Sequence, residues 1–227
     1  MFYRLSPNLV LRSRWRPYRS RPGERVLVLK AASVFPPSHP TTCLCLQLLT
    51  ETLAAAPCLR LLDVGCGSGV LLLAGAAAGA GFGLGVDLAE RAAATTRDNA
   101  RANGLARKVS VAQGSTQGLK GPFDLMVGNL PWVVQMAKVE EFTRLAASGA
   151  RLILSGFKDT QEEDLKAGYQ RVGWVMESRR ARDEWVAALP PEQSFTWVAW
   201  QLKKTGEPVP KPPQGQAYSP VLALKGT

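Results

Sequence analysis

The stretch Asp63-Val64-Gly65-Cys66-Gly67-Ser68-Gly69 limits the fold more than any other part of the 227-residue chain. Ahead of it runs Cys58-Leu59-Arg60-Leu61-Leu62, a short apolar segment of the kind that forms a buried parallel strand. Behind it run Val70-Leu71-Leu72-Leu73-Ala74 and further alanines, which read as the start of a helix. The glycines therefore fall on a strand-to-helix turn. Alternate glycines let the backbone bend sharply there and let a ligand come close. The helix N-terminus behind the turn offers free N–H groups and a partial positive charge.

A dinucleotide fingerprint would read G-x-G-x-x-G; here the spacing is G-x-G-x-G, with Asp63 at the end of the preceding strand. Downstream, Phe82-Gly83-Leu84-Gly85-Val86-Asp87 reads as a second strand ending in an acid, at about the offset where an acid meets a ribose hydroxyl pair. In these residues the sequence resembles the class I methyltransferases that use S-adenosylmethionine (SAM). The resemblance implies SAM as cofactor and a binding role for Asp63, Gly65, Cys66, Gly67, Gly69, Asp87 and Leu88. The competing readings are another Rossmann-like nucleotide binder and a glycine-rich turn with no ligand.

The rest of the chain continues the alternation of strand and helix. Residues 88–102 read as a helix stopped by Asn103-Gly104. Val109 to Ala112 is a third strand, followed by Gln113-Gly114-Ser115. Many relatives carry an acid there that reaches the adenine amino group; here that place falls to Ser115 or is left to the backbone. Phe123 to Val127 is a fourth strand, leading into Gly128-Asn129-Leu130-Pro131-Trp132. Val139 to Ala147 is a helix and Arg151 to Phe157 a fifth strand. Thr160 to Glu163 has the form of a capping box. Residues 171–179 and 195–202 are expected to form an antiparallel pair. The expected fold is α/β: a Rossmann-like, doubly wound, mostly parallel seven-stranded sheet with an antiparallel last strand, its ligand at the carboxyl ends of the strands.

Ahead of this core, Val26 to Leu29 reads as a strand, and Val34-Phe35-Pro36-Pro37-Ser38-His39-Pro40-Thr41-Thr42 as a rigid lead-in to a leucine-rich helix ending near Ala55. Thr41 or Thr42 can cap that helix. The His-Pro-Thr-Thr phrase resembles the PrmA-type methyltransferases, which modify ribosomal protein L-eleven. The Asp98-to-Gly104 string, the Leu154-Ser155-Gly156 stretch, Gln161 and residues 169–174 fit the same type. The likeness covers about residues 35–175. It implies that His39, Thr41 and Thr42 line the pocket at the methionine end of SAM, and that a ribosomal protein is the acceptor. Enzymes of that type usually carry a separate N-terminal recognition domain; the stretch ahead of His39 is too short to form one.

Methyl transfer from a sulfonium needs alignment and exclusion of water rather than a catalytic triad. The candidate reaction-side residues are Asn129, Leu130, Pro131 and Trp132. The Asn129 amide oxygen and the Leu130 carbonyl can accept hydrogen bonds from one nitrogen. Trp132 offers a flat apolar wall. The motif is similar to the Asn-Pro-Pro-Tyr motif of N-methyltransferases acting on glutamine, adenine or cytosine, and to the Asn-Ile-Leu-Ala version of the PrmA type, and it matches neither. The expected function is SAM-dependent N-methylation of a protein. An RNA or DNA base N-methyltransferase is the alternative, and a non-enzymatic adaptor on the same fold is a third reading.

Composition bounds the remaining classes. The net charge is +10, but residues 1–25 hold seven arginines and one acid, residues 203–227 four lysines and one acid, and the stretch between is nearly neutral. Basic ends point to a polyanionic partner such as RNA or a ribosomal surface, or serve as solvated flanks. Cys43, Cys45, Cys58 and Cys66 form no metal-ligand spacing, and His39 is the only histidine. No metal site is therefore expected, and reduced thiols in a cytoplasmic protein are. No secretory signal or membrane span is apparent. The expected division is a basic arm plus helix at 1–57, a SAM-binding core at 58–202 and a proline-rich basic tail at 203–227.

Overall fold

The computed structural model describes residues 2–14, 17–30, 39–184 and 195–205. In chain order the strands and helices are β1 (Phe2–Ser6), β2 (Leu9–Ser13), β3 (Arg25–Leu29), α1 (Pro40–Ala55), β4 (Arg60–Val64), α2 (Val70–Ala78), β5 (Phe82–Asp87), α3 (Glu90–Ala102), β6 (Val109–Gln113), β7 (Phe123–Asn129), α4 (Trp132–Ala137), α5 (Val139–Leu145), β8 (Ala146–Lys158), α6 (Glu162–Arg171), β9 (Trp174–Glu184) and β10 (Phe195–Lys204).

Seven strands form one sheet in the order β6-β5-β4-β7-β8-β10-β9. Strands β4 to β8 are parallel, and β10 runs antiparallel to both β8 and β9. This is the doubly wound architecture expected, with the order reversing between β4 and β7. Alternate residues along each central strand feed two separate cores. Val127, Ile153 and Ala199 face α1 and α2, against Leu48, Leu49 and Leu72. Met126, Leu154 and Trp200 face the other way, onto Phe142, Leu165 and Tyr169. The helix α2 is buried from Val70 to Ala76, so its uniformly apolar sequence is the sequence of a helix covered on all sides.

The first 30 residues hold more structure than an arginine-rich arm. A β1–β2 hairpin turns at Pro7-Asn8, and β3 joins β2 in parallel. Leu9, Leu11, Leu27 and Leu29 bury this small sheet against the α2 side of the core. The signal was present in the short apolar runs between the arginines. Tyr18, in the β2–β3 connection, donates to the Glu24 carboxylate at 2.6 Å. Trp15 lies outside the described residues, as do Val34 to Ser38 and the tail from 206 onward.

Two capping expectations are corrected. His39, not a threonine, is the N-cap of α1: its Nδ1 accepts from the Thr41 N–H at 3.3 Å, and Pro40 takes the first helical position. At the start of α6, Thr160 sits inside a 3-10 turn (Asp159–Gln161). The Gln161 side chain closes that turn by accepting from the Lys158 N–H at 2.9 Å. The short helix α4 was not anticipated; proline at its N-cap position and Trp132-Val133-Val134 behind it hid one and a half turns of helix.

Candidate active site

The glycine turn is pinned to the end of β5 from several sides. The N–H groups of Gly65 and Cys66 both reach the Val86 carbonyl, at 2.8 and 3.0 Å. One oxygen of the next residue, Asp87, accepts from the Gly67 N–H, and the other from the Ala89 N–H, both at 2.9 Å. From α3, Thr96 donates to the Gly67 carbonyl at 2.9 Å, and Asn99 to the Ser68 carbonyl at 2.8 Å.

Two of the glycines cannot be replaced cheaply. Gly69 caps α2 in the left-handed region at φ 79°. Gly65 has φ 73°, and a Cβ there would sit 2.5 Å from Leu130 Cδ2. The glycine turn and Leu130 thus touch, and the left-handed φ at Gly65 favours a residue without a side chain there.

Asp63 lies beneath the turn. It is 1% exposed and accepts from the Leu72 N–H at 3.0 Å, so it caps the first turn of α2 from inside the core. Burial pushes its carboxyl up to about 7. Cys66 is also buried, its Sγ 3.6 Å from the Thr96 hydroxyl, and burial pushes its thiol up to about 12. Leu88 stands 75% exposed on the rim beside Asp87. Ser115 is half-buried just past β6, where Gly114 N–H bonds to the Asp87 carbonyl at 2.8 Å.

On the other side of β4, β7 carries Asn129 as its last residue, in register with Ser155 of β8. The Asn129 amide nitrogen donates to Thr42 Oγ at 3.2 Å, and its oxygen is buried without a partner among the described residues. Thr42 and Thr41 are themselves buried at the start of α1, and the Thr41 hydroxyl bonds His39 Nδ1 at 2.8 Å. Leu130 is held by its N–H on the Ser155 carbonyl at 3.0 Å. Pro131 is exposed, and Trp132 is half-buried against the α4–α6 core.

Two features escaped the sequence. Gln135, fully buried on α4, donates its amide to the Leu130 carbonyl at 2.5 Å and to the Ser155 carbonyl at 2.8 Å. A lone glutamine in a short helix carries no pattern that would reveal this. The second is an aromatic group continuing from His39. The Trp197 ring meets His39 at 5.1 Å between centroids and Phe195 at 5.1 Å, and Lys158 Nζ lies 3.8 Å over Phe195. It links α1 with β8 and β10, elements too far apart in sequence to be paired by inspection.

The sheet order, the glycine turn with an acid on the neighbouring strand, and an asparagine at the end of β7 define a Rossmann-like fold of the methyltransferase kind. Solved structures share it. A ribosomal protein L11 methylase from Lactobacillus delbrueckii subsp. bulgaricus superposes with a TM-score of 0.75 at 20% identity, over 90% of this chain and 97% of that one. A SAM-dependent O-methyltransferase from Thermotoga maritima gives 0.55 at 16% identity, over 70% and 64%. At these identities the likeness is one of fold.

The family model for ribosomal protein L11 methyltransferase (PrmA) matches residues 3–190, and the chain belongs to that family. Curated ribosomal protein L11 methyltransferases from Syntrophotalea carbinolica and Moorella thermoacetica are 35% and 36% identical to it, over 80% and 82% of this chain. The chain spans about 60% of the length of these relatives, 60% and 58% respectively.

The residues present fit SAM. The turn leaves open space where a Cβ at Gly67 would stand, so a cofactor can approach its backbone, and the Asn129 oxygen at the same edge is buried without a partner among the described residues. Each Asp87 oxygen holds one N–H and keeps a lone pair for a ribose hydroxyl.

Proposed function

We propose that this chain transfers a methyl group from SAM to a nitrogen of a protein, with a ribosomal protein as acceptor. The observation that carries the reading is the buried Asn129 oxygen, an acceptor without a partner among the described residues, at the carboxyl edge shared by Gly65 and Asp87. A buried amide oxygen left without a hydrogen bond costs on the order of 1–3 kcal/mol. A donor that arrives with the substrate removes that cost.

SAM supplies a methyl group already activated on a sulfonium. The chain supplies the alignment. Asp87 takes the ribose hydroxyls; Gly65, Cys66, Gly67 and Gly69 admit the cofactor against backbone; Leu88 and Ser115 flank the adenine; Thr41 and Thr42 close the methionine end. Asp63 supports the turn from below. Asn129 Oδ1 accepts an N–H of the incoming nitrogen, while the Asn129 amide nitrogen is held on Thr42 Oγ. The Leu130 carbonyl, held by Gln135, offers its second lone pair to the same nitrogen. Pro131 and Trp132 shape the wall beyond.

A lysine acceptor, with an ordinary pKa of about 10.4, must first lose a proton, and desolvation favours the neutral amine. In this reading residues 58–202 are the cofactor core, flanked by a basic arm with its helix and a basic tail, and the protein acts in the cytoplasm. A polyanionic surface such as ribosomal RNA is the partner that the basic ends suit.

The test is label transfer from radiolabelled SAM into a lysate divided into protein and nucleic acid, with purified ribosomal protein L11 in parallel. Label in a single small nuclease-resistant protein band is expected. Label in protease-resistant RNA or DNA would overturn the reading in favour of a base methyltransferase.

A further inference from the structure

Asn99 of α3 is bonded in two directions. Its amide nitrogen donates to the Ser68 carbonyl in the glycine turn and to the Lys30 carbonyl at 3.0 Å, and its oxygen accepts from the Lys30 N–H at 2.9 Å. One turn later, Asn103 grips Val28 in the same two-bond manner, at 2.7 and 2.8 Å. The two asparagines thus act as an extra strand along the edge of β3 and tie the small N-terminal sheet to the cofactor turn.

Beside this seam lies an open groove of about 450 Å3. Its polar lining is Arg14, Lys30, Asp98, Asn99 and Arg101, over an apolar floor of Val28 and Ala102. Arg14 and Lys30 emerge side by side from the ends of paired strands, the Arg14 N–H bonding to the Leu29 carbonyl at 3.1 Å. Neither makes an ion pair among the described residues. Arg101 is paired with Asp98 at 3.1 Å, but both side chains are more than 60% exposed, and such a pair holds its members only weakly. Three cations therefore face one carboxylate, in a cavity within the size range of small-molecule sites.

We propose that this groove binds a phosphate-bearing ligand of nucleotide size, either a free nucleotide or one unit of an RNA backbone. The guanidinium fork of Arg14 and the ammonium of Lys30 are the groups that recognise phosphate oxygens. The Val28–Ala102 floor suits the apolar face of a base or ribose. The site is separate from the cofactor turn, yet Asn99 forms part of both.

The probe is a short fluorescently labelled single-stranded RNA, read by anisotropy at several salt concentrations, with adenosine monophosphate and inorganic phosphate as competitors. The variant is R14Q/K30Q. Lys30 meets Asn99 through its backbone, so that seam survives, and a thermal melt checks that it has. A K166Q variant on α6, across the sheet, is the control. Binding is expected to weaken at least tenfold in R14Q/K30Q and to stay within twofold in K166Q. The slope of log affinity against log salt is expected to fall by about 1.4, as two phosphate contacts on a single strand require. Displacement by the monophosphate assigns the site to a nucleotide unit; RNA binding that resists it assigns the site to the polymer backbone. Absence of binding by wild type, or equal losses in the two variants, would overturn the proposal. SAM affinity measured on the same samples is independent of these outcomes.

Discussion

The Asn129 amide nitrogen donates to the Thr42 hydroxyl at 3.2 Å, while the oxygen of the same amide lies buried without a partner among the described residues. One hydrogen bond between β7 and α1 thus holds the Asn129 amide, and in the proposed site its oxygen accepts from the acceptor nitrogen. Replacing Asn129 by Ala removes the acceptor, with an expected fall in kcat of roughly a hundredfold or more, the scale for a lost hydrogen bond at a reacting centre. The Kd for SAM should stay within about threefold of wild type by calorimetry, since the bonds to the glycine turn are untouched. Thr42→Val keeps the amide but frees its orientation. Its kcat is expected to fall less, about tenfold, with KM for the acceptor raised. Equal loss of SAM binding and turnover in Asn129→Ala would mark the residue as structural.

Asp87 holds the turn with both carboxylate oxygens, and in the proposed site the same oxygens take the ribose hydroxyls. Asp87→Ala loses the bonds to Gly67 and Ala89 together with the ribose acceptor. Charge-assisted bonds are worth about 1.5–3 kcal/mol each, so SAM affinity should drop by at least tenfold. Asp87→Asn keeps one acceptor oxygen and should lose less. Calorimetric titration with SAM reads both, and an unchanged Kd in Asp87→Ala would remove Asp87 from the cofactor site.

Strands β4, β5 and β7 were legible because each is a short, largely apolar run beside a glycine or proline. The turn was legible because backbone bending leaves a fixed glycine spacing. Contacts made by single polar side chains across the fold were not. Asn99 and Asn103 sit in a recognisable string, yet nothing in it says that their amides extend the β3 edge. Gln135 has no periodic partner at all. The β1–β2 hairpin was obscured because seven arginines dominate the composition of residues 1–25, while three consecutive apolar residues, Leu9 to Leu11, carry its burial.

Gln135 bridges the Leu130 and Ser155 carbonyls from inside the core, so its removal acts on stability and geometry together. Gln135→Leu keeps the volume and leaves the Leu130 carbonyl short of a donor, while the Ser155 carbonyl keeps the Leu130 N–H. The expected cost is about 1–3 kcal/mol of unfolding free energy, the scale for one unsatisfied group. Urea denaturation measures it. Methyl transfer at a temperature where the variant stays folded should fall with SAM affinity near normal, because Leu130 is freed while Asp87 and the turn are intact. A variant as stable as wild type would show that the two bonds contribute little.

Asp63 gives the fold a pH dependence of definite sign. Its carboxyl ordinarily ionises near 3.8, and burial raises this to about 7 in the native protein, the Leu72 N–H opposing the rise only in part. Between these values the native state holds a proton that the unfolded chain has released. The stability attributable to the neutral acid is present in full below about pH 4 and is lost as the pH climbs to 7. At about 1.4 kcal/mol per unit, the decline from pH 5.5 to 7 is on the order of 2 kcal/mol. Asp63→Asn is neutral throughout and keeps an oxygen for Leu72. Urea melts across this window should show the wild type losing stability and the variant holding level, with the variant at least as stable at pH 8. Parallel curves for the two proteins would mean that Asp63 is ionised in the native core, its charge met by the N-terminus of α2.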